Sequence, residues 1–147
     1  MNKILQPPAK LTLTAFALLT IAVACTSYPA PELKGIRALI NSEPLTIKEL
    51  RCKVVLVDFW IYSCVDCIRT FPYLREWNVK YADDRLVIIG VHTPEFEFEK
   101  VYSKVLKATQ DNSITWPVAQ DNDFKTWDNY SNQFRPAKYL IYKDGMV

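Results

Sequence analysis

Residues 54–67 read Val54-Val55-Leu56-Val57-Asp58-Phe59-Trp60-Ile61-Tyr62-Ser63-Cys64-Val65-Asp66-Cys67. The run from Val54 to Trp60 is apolar except for Asp58, the signature of a strand buried on both faces. Beyond it, apolar residues recur at Ile68, Phe71, Leu74, Trp77 and Tyr81, a spacing that predicts a helix over Cys67 to Tyr81. The Cys64-Val65-Asp66-Cys67 pair therefore sits where a buried strand hands over to a helix. Free backbone N–H groups and the helix dipole favour a thiolate at Cys64, and the thiolate is the attacking form of cysteine. Cys67 lies one turn further in, shielded, and placed to attack a mixed disulfide formed by Cys64 and release the product.

Outward from this unit, strands and helices alternate. Leu86 to Val91 reads as a second buried strand, stopped by Thr93-Pro94. Phe98, Val101, Tyr102, Val105 and Leu106 follow the spacing of an amphipathic helix over Glu95 to Thr109. Trp116 to Ala119 and Tyr139 to Tyr142 are expected strands, and Asp121 or Asn122 can cap a helix holding Phe124, Trp127 and Tyr130. Ala38 to Ile40 and Pro44 to Thr46 suggest a short hairpin. Alternation of this kind implies an α/β layer fold with a mainly parallel central sheet.

Composition removes several classes of function. A single His, at position 92, excludes sites built on paired imidazoles, and three Gly, at 35, 90 and 145, cannot form a glycine-rich phosphate loop. The net charge of +2 comes entirely from Lys3 and Lys10, so the chain from Cys25 onward is formally neutral. Such a chain offers no basic face for nucleic acid. No resident cofactor or metal is expected. A zinc site would have to draft Cys52 and His92 to complete four ligands, whereas zinc ligands come as two spaced pairs. A purely structural disulfide between Cys64 and Cys67 is the other competing account. A peroxiredoxin-type peroxidase would need a Pro-x-x-x-Thr-x-x-Cys run, and Ile61 stands where the Thr should be. Cys52 precedes the buried strand, which spans about 20 Å. It is thus expected at the opposite end of the sheet, as a buried small residue in a turn, unable to resolve a Cys64 disulfide.

Residues 1–24 contain no acid, begin with Lys3 and Lys10, and continue in an apolar run from Leu11 to Ala24. Fourteen helical residues rise about 21 Å, short of the roughly 30 Å of a hydrocarbon core. The run closes on Ala22-Val23-Ala24, small residues at a cleavage spacing, followed at once by Cys25. This resembles a bacterial lipoprotein signal, which implies lipidation of Cys25 and a membrane-attached protein in the cell envelope. Ala22 departs from that pattern, which prefers Leu. An ordinary signal peptide followed by an incidental Cys is the alternative, and it also exports the protein. Residues 25–35, with Pro29 and Pro31, read as an extended tether, and residues 36–147 as the domain.

The strand Val54–Trp60, the Cys64–Cys67 pair, Pro72, and Arg135-Pro136-Ala137 before a strand together resemble the thioredoxin fold. The stretches Trp60 to Thr70 and Gly90-Val91-His92-Thr93-Pro94-Glu95-Phe96 are more narrowly similar to the TlpA-like (redoxin) thioredoxins of bacterial envelopes. The resemblance implies thiol–disulfide exchange on protein disulfide or thiol substrates, usually reductive, often fed by an inner-membrane thiol-transfer partner. It further implies that Asp58, six residues before Cys64, is a buried acid relaying a proton for Cys67. It assigns Pro136 to the cis-proline that docks substrate backbone, and Trp60 to a hydrophobic lip beside Cys64. His92 and Glu95 are candidates for proton shuttling, against the simpler reading of a loop His and a helix-start Glu. Val65-Asp66 departs from the familiar Gly-Pro, placing an anion beside the thiols. The rival to an enzyme is a thioredoxin-fold binding module whose disulfide is inert.

Asp144-Gly145 is a hairpin-turn signal, yet only Met146 and Val147 follow. The resembled family continues with a strand and a closing helix. The sequence therefore predicts a C-terminally incomplete domain with Tyr139–Tyr142 as an open edge.

Overall fold

The computed structural model describes residues 27–147; the expected signal segment and Cys25 lie outside the described residues. The chain runs β1 (Ala38–Ile40), β2 (Val54–Trp60), α1 (Val65–Lys80), β3 (Leu86–His92), α2 (Tyr102–Asp111), β4 (Val118–Gln120), α3 (Lys125–Asn129) and β5 (Ala137–Ile141). The sheet order is β1-β4-β3-β2-β5. β3 is parallel to both β2 and β4, whereas β1 and β5 are antiparallel to their neighbours. The sheet is thus mixed, with helices on both faces.

β2 alternates its side chains between two cores. Val55, Val57 and Phe59 pack with Ile89, Val91, Ile141 and Tyr130 on the α3 side. Leu56 and Trp60 pack with Phe71, Leu74, Ile88, Val105 and Trp116 under α1 and α2. Asp58 shares the parity of Leu56 and Trp60, so period 2 sends its carboxylate toward α1, the helix that carries Cys67.

Several expectations are corrected. The hairpin of residues 38–46 does not form: β1 pairs with β4 instead. Asn41 turns the chain at φ 62°, and its side-chain amide donates to the carbonyls of Ile114 and Trp116, fixing β1 beside the approach to β4. The single helix expected over Glu95 to Thr109 is a 3₁₀ turn, Glu97–Lys100, followed by α2, and Phe98, Val101 and Tyr102 are exposed. The Glu99 carboxylate breaks the pattern by accepting the N–H groups of Glu95 and Phe96. Asp121 does cap the helix after it, accepting from Thr126 N and Trp127 N.

The tether segment, from residue 28 on, is part of the folded body. Ala30 N donates to Gly145 O, Pro29 bridges Met146, and the Glu32 carboxylate accepts from Ile47 N and Lys48 N. The Asp144-Gly145 turn forms, with Gly145 at φ 82° and its N–H donating to Tyr142 O. The residues after it are paired by this N-terminal segment. Cys52 is exposed rather than buried, because its φ of 68° turns the chain outward just ahead of β2.

Candidate active site

Cys64 is the N-cap of α1, with extended backbone (φ −85°, ψ 108°), and its sulfur accepts the N–H of Cys67 at 3.2 Å. A sulfur in this position takes the role of a capping oxygen, and it sits where the dipole favours negative charge. Cys64 is half-buried and Cys67 fully buried, which separates a reachable sulfur from a protected one. Burial pushes the Cys67 thiol up to about 12, helped by its hydrogen bond to Cys64 and the nearby negative charge of Asp58. Cys67 is therefore a neutral thiol at physiological pH and needs a base before it can attack.

Asp58 is only 1% exposed. Its Oδ1 accepts from Lys138 Nζ at 2.8 Å, while its Oδ2 is buried without a partner among the described residues. Burial raises the carboxyl above the usual range, and the Lys138 ammonium opposes the rise without cancelling it. Lys138 reaches Asp58 because β5 places the two residues directly opposite each other across the ladder with β2. The same ammonium donates to Thr70 Oγ1, and the Thr70 hydroxyl donates to Cys67 O. One cation thus links the strand acid to the helix turn that bears the inner thiol.

The Arg135–Pro136 bond is cis. Ala137, next along, pairs with Phe59, which puts Pro136 at the same end of the sheet as the cysteines. Trp60 does not form a lip. It is 1% exposed, edge-on to Phe71 and to His92, and belongs to the core. Exposed apolar side chains at this end include Val65, directly after Cys64, Phe134, two residues before Pro136, and Phe96 and Phe98 in the loop after β3. Asp66 is exposed and paired with Arg69 at 2.8 Å, so its charge is screened by water and by the guanidinium.

His92 is not a loop residue. It ends β3, fully buried, stacked on Tyr62, with neither ring nitrogen hydrogen-bonded among the described residues. Burial lowers its imidazole to about 4, against the opposing pull of Glu99. Glu95 is exposed and 3.5 Å from Arg135, outside the hydrogen-bonded group around Asp58. Cys52 lies at the far end of the sheet from the pair, since it precedes the start of β2.

Sequence reasoning missed Lys138, Thr70, Ser63 and Glu99. Lys138 had one legible cue, its place two residues after Pro136 and just before the strand expected from Tyr139, but its partner depends on register. Glu99 fell inside the helix expected over Glu95 to Thr109 and carried no signal of its own. In the structure it is fully buried, accepting from Ser63 Oγ and from two backbone N–H groups.

The profile of the AhpC/TSA family matches residues 27–147, the whole of the described fold. The chain belongs to the AhpC/TSA family. Among relatives of this redoxin is Thiol-disulfide oxidoreductase YkuV of Bacillus subtilis, 32% identical over 119 residues that cover 81% of this chain and 80% of YkuV. Protein DipZ of Mycobacterium tuberculosis is 48% identical over 121 residues, which are 80% of this chain and 17% of DipZ. The chain thus spans about a sixth of the length of DipZ. A solution structure of a thioredoxin-like protein in the oxidized form superposes with a TM-score of 0.73 at 34% identity, covering 80% of this chain and 78% of that one. The described domain therefore stands with the thioredoxin-like thiol–disulfide oxidoreductases.

Proposed function

We propose that this protein reduces disulfides in exported proteins, with Cys64 as nucleophile, Cys67 as resolving thiol and Asp58 as proton acceptor. The Cys64 thiolate attacks one sulfur of a substrate disulfide, forming a mixed disulfide and releasing the other substrate sulfur as a thiolate. Cys67 then gives its proton to the unpartnered Oδ2 of Asp58 and attacks the Cys64 sulfur. The Cys64–Cys67 disulfide forms, the second substrate thiolate leaves, and the substrate has gained two electrons. A thiol donor at the inner membrane restores the dithiol. Pro136 docks the substrate backbone beside Cys64. Export and attachment through a lipid on Cys25 rest on the sequence of residues 1–25.

The asymmetry of the two sulfurs carries this reading: a half-buried capping sulfur beside a fully buried thiol held up at about 12. An inert structural pair has no need of a buried acid coupled to one of its members. The test is to react Cys67→Ser and Cys64→Ser with insulin and resolve the products on non-reducing gels. Cys67→Ser should accumulate a mixed disulfide, and Cys64→Ser should form none. Trapping by Cys64→Ser alone would reverse the roles. Thiols that react no faster than free cysteine at neutral pH would favour the binding module.

A further inference from the structure

The site above makes no use of a second buried carboxylate at the same end of the sheet. Glu99 is 0% exposed and leaves no oxygen idle. Its Oε1 accepts the Ser63 hydroxyl at 2.5 Å, and its Oε2 accepts the N–H of Glu95 and of Phe96, each at 2.8 Å. Burial alone would raise its carboxyl, but these three donors, with Ser63 foremost, hold it below the usual range. It is thus an ion with both oxygens hydrogen-bonded.

Its partners mark what it joins. Ser63 immediately precedes the nucleophile, within the turn in which Cys64 N donates to Ile61 O. Ser63 is itself exposed, so nothing but this hydrogen bond and the chain on either side fixes its orientation. Glu95 and Phe96 belong to the loop after β3, which is tied to the same turn once more by Tyr62 OH donating to Phe98 O at 3.2 Å. A loop staple needs only the two backbone donors. The Ser63 bond is extra, and it reaches across 36 positions to the residue next to the reactive sulfur.

We propose that Glu99 is a positioning residue for disulfide exchange: through Ser63 it holds the turn that presents the Cys64 sulfur, and through the N–H groups of Glu95 and Phe96 it registers the following loop on that turn. This rests on Cys64 being the nucleophile. The thiol is aimed by an anion that never touches substrate, and the geometry of attack is set before substrate arrives. Charge-assisted hydrogen bonds suit the task, because they are both stronger and more directional than neutral ones. Loss of one is worth about tenfold in a rate that depends on it.

The test measures attack on 2,2′-dithiodipyridine by stopped flow, in the reduced full-length protein carrying Cys67→Ser so that resolution is silent. The phase that disappears on adding Cys64→Ser is the one read. Ser63→Ala should slow that phase about tenfold, with a modest drop in melting temperature because Oε1 of the buried Glu99 loses its donor. Glu99→Ala should slow it as much. Glu99→Gln should fall between, because its amide oxygen still accepts the two N–H groups. The Ser63→Ala/Glu99→Ala pair should be no slower than the slower single variant, the mark of two residues acting as one unit. Ser63→Ala at the wild-type rate would overturn the proposal and leave Glu99 a loop staple, as would independent effects that multiply in the double variant. If no phase disappears with Cys64→Ser, the nucleophile assignment fails and the proposal falls with it.

Discussion

Replacing Lys138 by Met tests the coupling between Asp58 and its surroundings. The substitution keeps the aliphatic stem and removes the charge that faces Oδ1 at 2.8 Å, leaving both oxygens of a carboxylate that is 1% exposed without a partner. Stranding one member of a buried ion pair costs about 3–5 kcal/mol. Lys138 is 26% exposed, so water already screens part of the attraction, and the expected loss is nearer 2–3 kcal/mol at pH 7. For a domain of this size that lowers the melting temperature by roughly 8–12 °C.

The pH dependence gives the experiment its sign. Burial raises Asp58 in the wild type, and loss of the opposing cation raises it further. A carboxyl raised in the folded state keeps its proton longer there than in the unfolded chain. Stability is then fully present below the unfolded value and falls as pH climbs toward the folded one. The gap between Lys138→Met and wild type should therefore be small near pH 4 and open once pH passes the raised folded-state value of wild-type Asp58. Denaturant melts at pH 4 and pH 7 read the gap directly. The Asp58→Asn/Lys138→Met double variant should recover most of the loss, because it leaves no orphaned charge. Asp58→Asn alone gains little, since the wild-type carboxylate is not uncompensated. Equal losses at both pH values, or a double variant as unstable as Lys138→Met, would refute the account.

His92, lowered by burial from 6.5 to about 4, should cost the protein about 3 kcal/mol as pH falls between those values. In that window the unfolded chain takes up a proton that the folded one refuses, so His92→Phe should lack this loss in paired melts at pH 7 and pH 4. Gly90→Ala should destabilise by about 1–3 kcal/mol, measured by denaturant melts. Its new Cβ would stand 2.8 Å from Trp60 Nε1 and 3.4 Å from Trp116 Nε1, within a packed core that has no slack on that side.

The features legible in the sequence were those set by local pattern. The apolar run Val54–Trp60 formed β2, the helical spacing from Cys67 formed most of α1, and the junction put Cys64 at a helix cap. Asp121 as a cap and Asp144-Gly145 as a turn are local in the same sense. The misses all depend on partners distant in the chain. β1 lacked a visible partner because β4 lies about 80 positions away, and residues 44–46 were drafted in its place. The helix expected from Glu95 followed apolar spacing, but a single buried carboxylate gathering N–H groups outweighs the propensity of one turn. Trp60 was assigned to a lip by the family resemblance, yet strand parity turns it into the core. Lys138 became part of the site through register, which no spacing rule within β5 reveals.

β2 is paired along its whole length with β3 and over Val55–Phe59 with β5, and it carries Asp58 while leading into the turn before Cys64. Amides enclosed by ladders on both sides exchange with solvent only when the domain as a whole opens. Asp58 is thereby anchored in the part of the molecule that breathes last. Its distance to the inner thiol cannot drift by local fraying, as it would on an edge strand or in a loop. The adjustment needed to admit a folded or half-folded substrate must come from the periphery, the loops around Phe96 and Phe134. Asp58 stays a fixed reference against which those loops move.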